Sequence, residues 1–310
     1  MADAVKGKME YSSSSKSSES SASYDPTLSP VRENETDLDQ KLSRQALALV
    51  ISIGTKPQRC ENDDERHFEM LQKERPGKDP GFQGTMSSNW TLWQLLDSVF
   101  PTGGFAHSLG LEAAVQTGFV HDPSTLVSFI TSTLENTAAL LLPFVFVSNK
   151  LPRVDCWIHI DRLLHATLTN QVARRASCAL GSALLRTATT VYVEIQELKK
   201  MRACALNSGM VHCHHAAVFG VVTGLLAIDP LTSQRSYLFL SLRDCLSAAT
   251  RLNLVGPLEA AAMQRSMSSL AERIVAKYAN RPIEDAYQTA PLLDVVQGYH
   301  DNLFSRLFCS

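Results

Sequence analysis

From Trp90 onward the chain reads as a succession of helices. Asp122-Pro123 and Asp229-Pro230 each set a good N-cap residue before a proline at the first helical position. Gly256-Pro257 stops one helix and starts the next, and Asn207-Ser208-Gly209 interrupts the chain after a lysine-rich stretch. Between these marks the spacing predicts helices over 90–99, 108–117, 124–149, 155–170, 172–204, 210–228, 231–251 and 257–279. Apolar residues recur at intervals of three and four, as in Leu126, Phe129, Ile130 and Leu134 or Leu238, Leu242, Leu246 and Ala249. No sustained alternation of period two accompanies them, so no sheet is expected. Runs of small residues (Ala173 to Ala188, Ala260 to Ala262) let helices approach closely. The expected fold is all-α: one compact domain over residues 88–310, a bundle of about eight to ten helices.

Hydrophobic residues make up 45% of the 310 positions, enough for a sizeable core. The formal net charge is −2, so no basic field recruits nucleic acid. The seven cysteines contain no CxxC and are odd in number, which argues for reduced thiols and a cytoplasmic setting rather than a disulfide framework. Residues 1–87 are expected to form an extension: serine-rich and disordered at first, then a charge-dense linker carrying Pro57, Pro76, Gly77 and Pro80. Its apolar run, Ala46 to Ile53, is far shorter than the roughly 20 residues that span a bilayer, and no membrane contact is expected.

Candidate chemistry is sparse. Gly103 and Gly104, within Pro101-Thr102-Gly103-Gly104-Phe105-Ala106-His107-Ser108, follow no strand and lack a phosphate-binding lysine, so they read as a tight turn. His212, Cys213, His214 and His215 crowd borderline and soft ligands into one helical turn, with His212 and His215 on a shared face. No acidic residue adjoins them in sequence, and they read first as histidines opening an apolar helix. Ser108 beside His107, or Cys213 beside His212 and His214, would be the nucleophile of a hydrolase. Neither has an oriented base with a supporting third group, and G-x-S-x-G is absent. No catalytic role and no cofactor are therefore expected. Two basic runs, Arg174-Arg175 and Lys199-Lys200-Met201-Arg202, suit exposed helix faces. The closing stretch Asn302 to Ser310 is too apolar to stand in water. It either docks on its own domain or anchors a partner.

The stretch W-Q-L-L-D-S-V-F-P-T-G-G-F-A-H-S-L-G-L-E, Trp93 to Glu112, resembles the opening signature of the UreF family. Three further blocks agree in order: H-H-A-A-V-F-G from His214, L-S-A-A-T-R-L from Leu246 and S-R-L-F from Ser305. That resemblance implies a helical, dimerising scaffold that joins a UreD/UreH-type protein, recruits the UreG-type GTPase and serves nickel insertion into urease. It implies a GTPase-facing set of Glu112 and Arg251, with Gly103 and Gly104 shaping the turn that presents Ser108 and Glu112. It implies a UreD/UreH-facing set of Arg306, Leu307 and Phe308. The alternative expectation is a helical nickel- or zinc-binding protein using His212, Cys213, His214 and His215.

Overall fold

A computed structural model describes residues 88–207, 209 and 211–310. The expected N-terminal extension, residues 1–87, lies outside the described residues. Ten α-helices and three short 3-10 turns make up the regular structure, and no strand occurs among the described residues. The helices are α1 (Ser88–Leu96), α2 (Leu111–Gln116), α3 (Pro123–Lys150), α4 (Val154–Thr167), α5 (Gln171–Val191), α6 (Gln196–Asn207), α7 (His215–Leu225), α8 (Pro230–Arg251), α9 (Pro257–Tyr278) and α10 (Pro291–Gly298). The all-α expectation holds.

The helix starts follow their local chemistry. The Asp122 carboxylate accepts from the Thr125 amide at 2.7 Å while the Thr125 hydroxyl accepts from the Asp122 amide at 3.1 Å, closing a capping box over α3. Asp229 caps α8 through the Thr232 amide at 2.9 Å. Asn170 caps α5 through the amides of Val172 and Ala173. Several boundaries differ from expectation: the helices expected over 90–99, 155–170 and 210–228 run instead over Ser88–Leu96, Val154–Thr167 and His215–Leu225. The long helix predicted over 172–204 breaks at Tyr192. The run Thr189-Thr190-Val191-Tyr192-Val193 is β-branched and aromatic, and it loses side-chain freedom in a helix. Helix α10 was not predicted. It is only eight residues long and begins at Pro291.

Helix α7 is the axis of the bundle. Ala216 to Thr223 are all buried, and the helix packs chiefly between α3 and α5, with α8 closing the other side of α3. Helix α3 is long and apolar enough to cross a membrane, but 61% of its most apolar window is buried inside the protein, as in the core helix of a globular domain. Pro143 sits within α3 and cannot donate to the Ala139 carbonyl. That carbonyl instead accepts from the Tyr287 amide at 3.3 Å, so the helix defect ties the segment after α9 to the core.

Candidate functional site

The opening signature and the end of the chain meet. Helix α2 and the loop before it present Ser108, Glu112 and Gln116 at intervals of four, along one face. Gln116 Nε2 donates to the Ser305 carbonyl at 2.9 Å. The Glu112 carboxylate accepts from the Leu307 amide at 2.6 Å and the Phe308 amide at 3.1 Å, and lies 3.1 Å from His300 Nε2. The Ser310 carbonyl accepts from the Ser108 amide at 2.7 Å and from the Ser108 hydroxyl at 2.9 Å. His107 Nδ1 lies 2.7 Å from the Ser310 hydroxyl, and the Cys309 amide donates to the Ala106 carbonyl at 2.8 Å. Residues 305–310 are therefore a strap, hydrogen-bonded to residues 106–116 at five of its six positions, all but Arg306.

Buried charge explains why the strap follows this path. Glu112 is 2% exposed, and a buried carboxylate is costly unless amide donors surround it. Two consecutive strap amides and His300 supply those donors. Arg251 joins the two halves: its guanidinium donates to the Phe105 carbonyl and covers the Phe308 ring at 4.3 Å. Gly103 takes φ 82 at the turn, where a side chain would be strained. A Cβ on Gly104 would run into the Asp244 carboxylate.

The structure thus brings the two predicted sets into direct contact. Ser108 and Glu112 are buried beneath the strap, and Arg251 stays exposed at its edge. The second set divides. Phe308 turns inward at 5% exposure, while Leu307 is 53% exposed and Arg306 points outward near Asp301 at 3.8 Å. Phe304, within the apolar closing stretch, is fully exposed, and Arg175, of the first basic run, lies on an exposed face where its guanidinium meets Asp301 at 2.5 Å, a pairing the sequence did not suggest. Sequence reasoning missed Leu292, Val295 and Tyr299, exposed at spacings of three and four along and just beyond α10.

The histidine cluster forms a second constellation, differently composed from expectation. His212 and Cys213 are not helical: Cys213 takes φ 59, and α7 begins only at His215. His212 and His215 therefore share no helix face. The cause is a carboxylate 51 residues away. Asp161 of α4 accepts from the amides of His212 at 2.6 Å, Cys213 at 3.3 Å and His214 at 2.7 Å. Those contacts hold His212 to His214 out of the helix, with Cys213 in the left-handed region, and the carboxylate also suits the N-terminus of α7. Burial pushes the Asp161 carboxyl up, and the three amides offset that only in part.

One turn beyond Asp161 on α4, His165 reaches the same place. Its Nδ1 lies 3.1 Å from His214 Nε2, and its ring stacks on His212 with centroids 3.4 Å apart. Helix α5 adds Ser177, whose hydroxyl is 3.0 Å from His214 Nδ1, and Cys178, whose sulfur is 3.8 Å from the same ring. Burial, reinforced by His165 and His212, holds the His214 imidazole down to about 3, so it is neutral near pH 7. His215, facing Tyr237 instead, is held down to about 4 by burial.

The loop is seated against Gly181 of α5. A Cβ there would meet the Cys213 carbonyl oxygen at 1.9 Å. Gly181→Ala is expected to destabilise the fold by about 3 kcal/mol, the upper range for overpacking, because backbone and not a flexible side chain must move. A urea midpoint unchanged from wild type would refute this seating.

Neither constellation has the parts of a hydrolase. The Ser108 hydroxyl donates to Ser310 and is fully buried, and His107 faces Ser310 rather than Ser108. Burial pushes the Cys213 thiol up to about 11 and the Cys178 thiol up to about 12, away from the thiolate a nucleophile requires.

What fold and site define together is a helical protein built around buried carboxylates that bind backbone amides, with apolar side chains exposed around the strap. Comparison places it more narrowly. A UreF family profile matches residues 120–268. Urease accessory protein F of Arabidopsis thaliana is 55% identical over 221 residues, covering 71% of this chain and 92% of that protein. Urease accessory protein F of Oryza sativa subsp. indica is 53% identical over 223 residues, covering 72% and 85%. The bacterial urease accessory protein UreF of Trichodesmium erythraeum is 27% identical over 229 residues, covering 73% and 98%. The chain belongs to the UreF family.

Proposed function

We propose that this chain is a non-catalytic accessory protein of urease maturation that supports nickel insertion into the urease apoprotein. It bridges a UreD/UreH-type protein and a UreG-type GTPase and modulates that GTPase. It acts in the cytoplasm as a homodimer, without nucleic acid or membrane. The relatives' shared designation supports the accessory role. The bridging role rests on the exposed apolar and basic side chains at the strap.

That surface has the make-up of an interface. Phe304 and Leu307 are exposed on the strap, Leu292, Val295 and Tyr299 are exposed on and after α10, and Arg175 and Arg306 flank Asp301. Apolar anchors with arginine at their rim are what partner surfaces favour. Arg306, Leu307 and Phe308 meet the UreD/UreH-type protein, Phe308 by fixing the strap from beneath. Glu112, Ser108, Gly103, Gly104 and Arg251 form the adjoining GTPase-side region, and Glu112 and Ser108 act there by holding the strap in place.

Co-purification tests this reading. The full chain is expected to capture both the UreD/UreH-type and the UreG-type proteins of its host. A chain lacking residues 306–310 is expected to lose the first. Capture of neither partner by the full chain would overturn the bridging role. Undiminished capture after truncation would remove the strap from the interface.

A further inference from the structure

His165, His214 and Cys178 come from three separate elements, α4, the loop before α7, and α5, and their ligand atoms all lie within 4.8 Å of one another. We propose that these three side chains form a binding site for one divalent cation of borderline softness, Ni2+ or Zn2+. The inference rests on this geometry and does not depend on the bridging role.

The distances suit such an ion. Metal–nitrogen bonds of about 2.0–2.1 Å and metal–sulfur bonds of about 2.3 Å, at tetrahedral angles, set N–N edges of about 3.3 Å and N–S edges of about 3.6 Å. The His165 Nδ1 to His214 Nε2 separation is 3.1 Å, and Cys178 Sγ to His214 Nε2 is 3.9 Å. The first edge needs only a few tenths of an ångström, but the sulfur lies 3.8 Å from His214 Nδ1 as well, beside the ring, so Cys178 must rotate to bring its thiol in front of Nε2 and toward His165. Two imidazoles and one thiol select Ni2+ or Zn2+ over Mg2+ or Ca2+, which take oxygen ligands.

The surroundings hold the ligands ready. Ser177 Oγ stands 3.0 Å from His214 Nδ1, the ring nitrogen not offered to the ion. A proton on that nitrogen leaves the Nε2 lone pair directed at the site, as supporting partners of metal-bound histidines do. The Ser177 hydroxyl also accepts from the His215 amide at 3.1 Å, which fixes its own position. Asp161 fixes the loop and lies one turn from His165. His214 is fully buried, whereas His165 and Cys178 are half-buried, so the ion enters past them.

Charge is accommodated too. Binding displaces the Cys178 proton to solvent, because a coordinated thiol is held as thiolate. The dication, one thiolate and two neutral imidazoles leave a single positive charge, with the Asp161 carboxylate beside it. Arg174 opposes it, though its guanidinium is engaged by the Leu168 carbonyl. Stacked face to face on His165, His212 does not direct a ring nitrogen at the same point in this arrangement. Three protein ligands leave a fourth position open for water.

The test is a titration of the chelator-stripped full chain with Ni2+, and separately with Zn2+. It is read by calorimetry, by metal content after gel filtration and by near-ultraviolet thiolate-to-nickel absorption. About one ion per chain is expected, with affinity reduced at least tenfold in Cys178→Ser and in His165→Gln. The absorption band is expected to vanish in Cys178→Ser. His121→Gln, at an exposed histidine elsewhere, is the control and should bind normally. Far-UV circular dichroism certifies that each variant is folded. Binding of either ion with this residue dependence supports the site. No retained metal, or wild-type affinity in both ligand variants, would overturn it, whatever the outcome of partner capture.

Discussion

Glu112→Ala is expected to release the strap while leaving the helical core folded. The substitution removes the one acceptor shared by the Leu307 amide, the Phe308 amide and His300. Hydrogen bonds to a charged group contribute about 1.5–3 kcal/mol each. Here the strap can lift and let water satisfy its amides, so the loss appears as local opening rather than global unfolding. Hydrogen exchange at Leu307 and Phe308 should accelerate about a hundredfold, which corresponds to roughly 3 kcal/mol. The α3 and α7 amides should exchange as before. Glu112→Gln is the sharper probe. It offers one acceptor oxygen and turns an amide donor toward the tail, so it should also loosen the strap despite its matching shape. Urease activation in cells should fall with both variants, because a loosened strap must be reordered before Leu307 and Arg306 can engage a partner. Unchanged exchange would mean that Ser108 and Ala106 hold the strap by themselves. Normal activation with a freed strap would remove Glu112 from the functional site.

The residues that were legible in the sequence are those whose structure is decided locally. Asp122, Asp229 and the Gly256-Pro257 pair mark helix ends through contacts within four positions, and the structure places the ends there. The break after Val191 was equally local. It went unseen because apolar periodicity outweighed the poor helix propensity of the run Thr189 to Val193. Other features were decided at long range. The loop His212 to His214 looks like the first turn of an apolar helix until Asp161, 51 positions upstream, takes its amides. Cys178 and His165 carried no signal near the histidine run, since they approach it only in the folded bundle. For the strap, family resemblance named Glu112 and Phe308 separately and assigned them to different partners. Nothing in the order of residues says that a carboxylate at 112 binds an amide at 308.

Asp161→Ala is expected to be the most destabilising of these changes, although it removes the same chemical group as Glu112→Ala. Both carboxylates are buried and bind backbone amides. The difference lies in what those amides belong to. Those beneath Glu112 belong to a strap with solvent on one side. Those around Asp161 belong to a loop wedged between α4 and α5, seated on Gly181 and continuous with the central helix α7. Cys213 and His214 are buried there, so the orphaned amides cannot reach water without moving the start of α7. Each buried, unsatisfied donor costs about 1–3 kcal/mol, and relief of the carboxylate's own desolvation offsets part of that sum. A net loss of about 4 kcal/mol follows, a large part of the roughly 5–15 kcal/mol that holds a typical domain together. In a domain of this size the midpoint of thermal unfolding should fall by about 10 °C. Asp161→Asn keeps one acceptor oxygen for the His212 or His214 amide and should lose less than alanine does. If thermal and urea unfolding of Asp161→Ala instead stayed within about 1 kcal/mol of wild type, the loop would be held by its packing against α5. The carboxylate would then have to be explained by the ion site it adjoins, and its removal should weaken metal binding while leaving the fold intact.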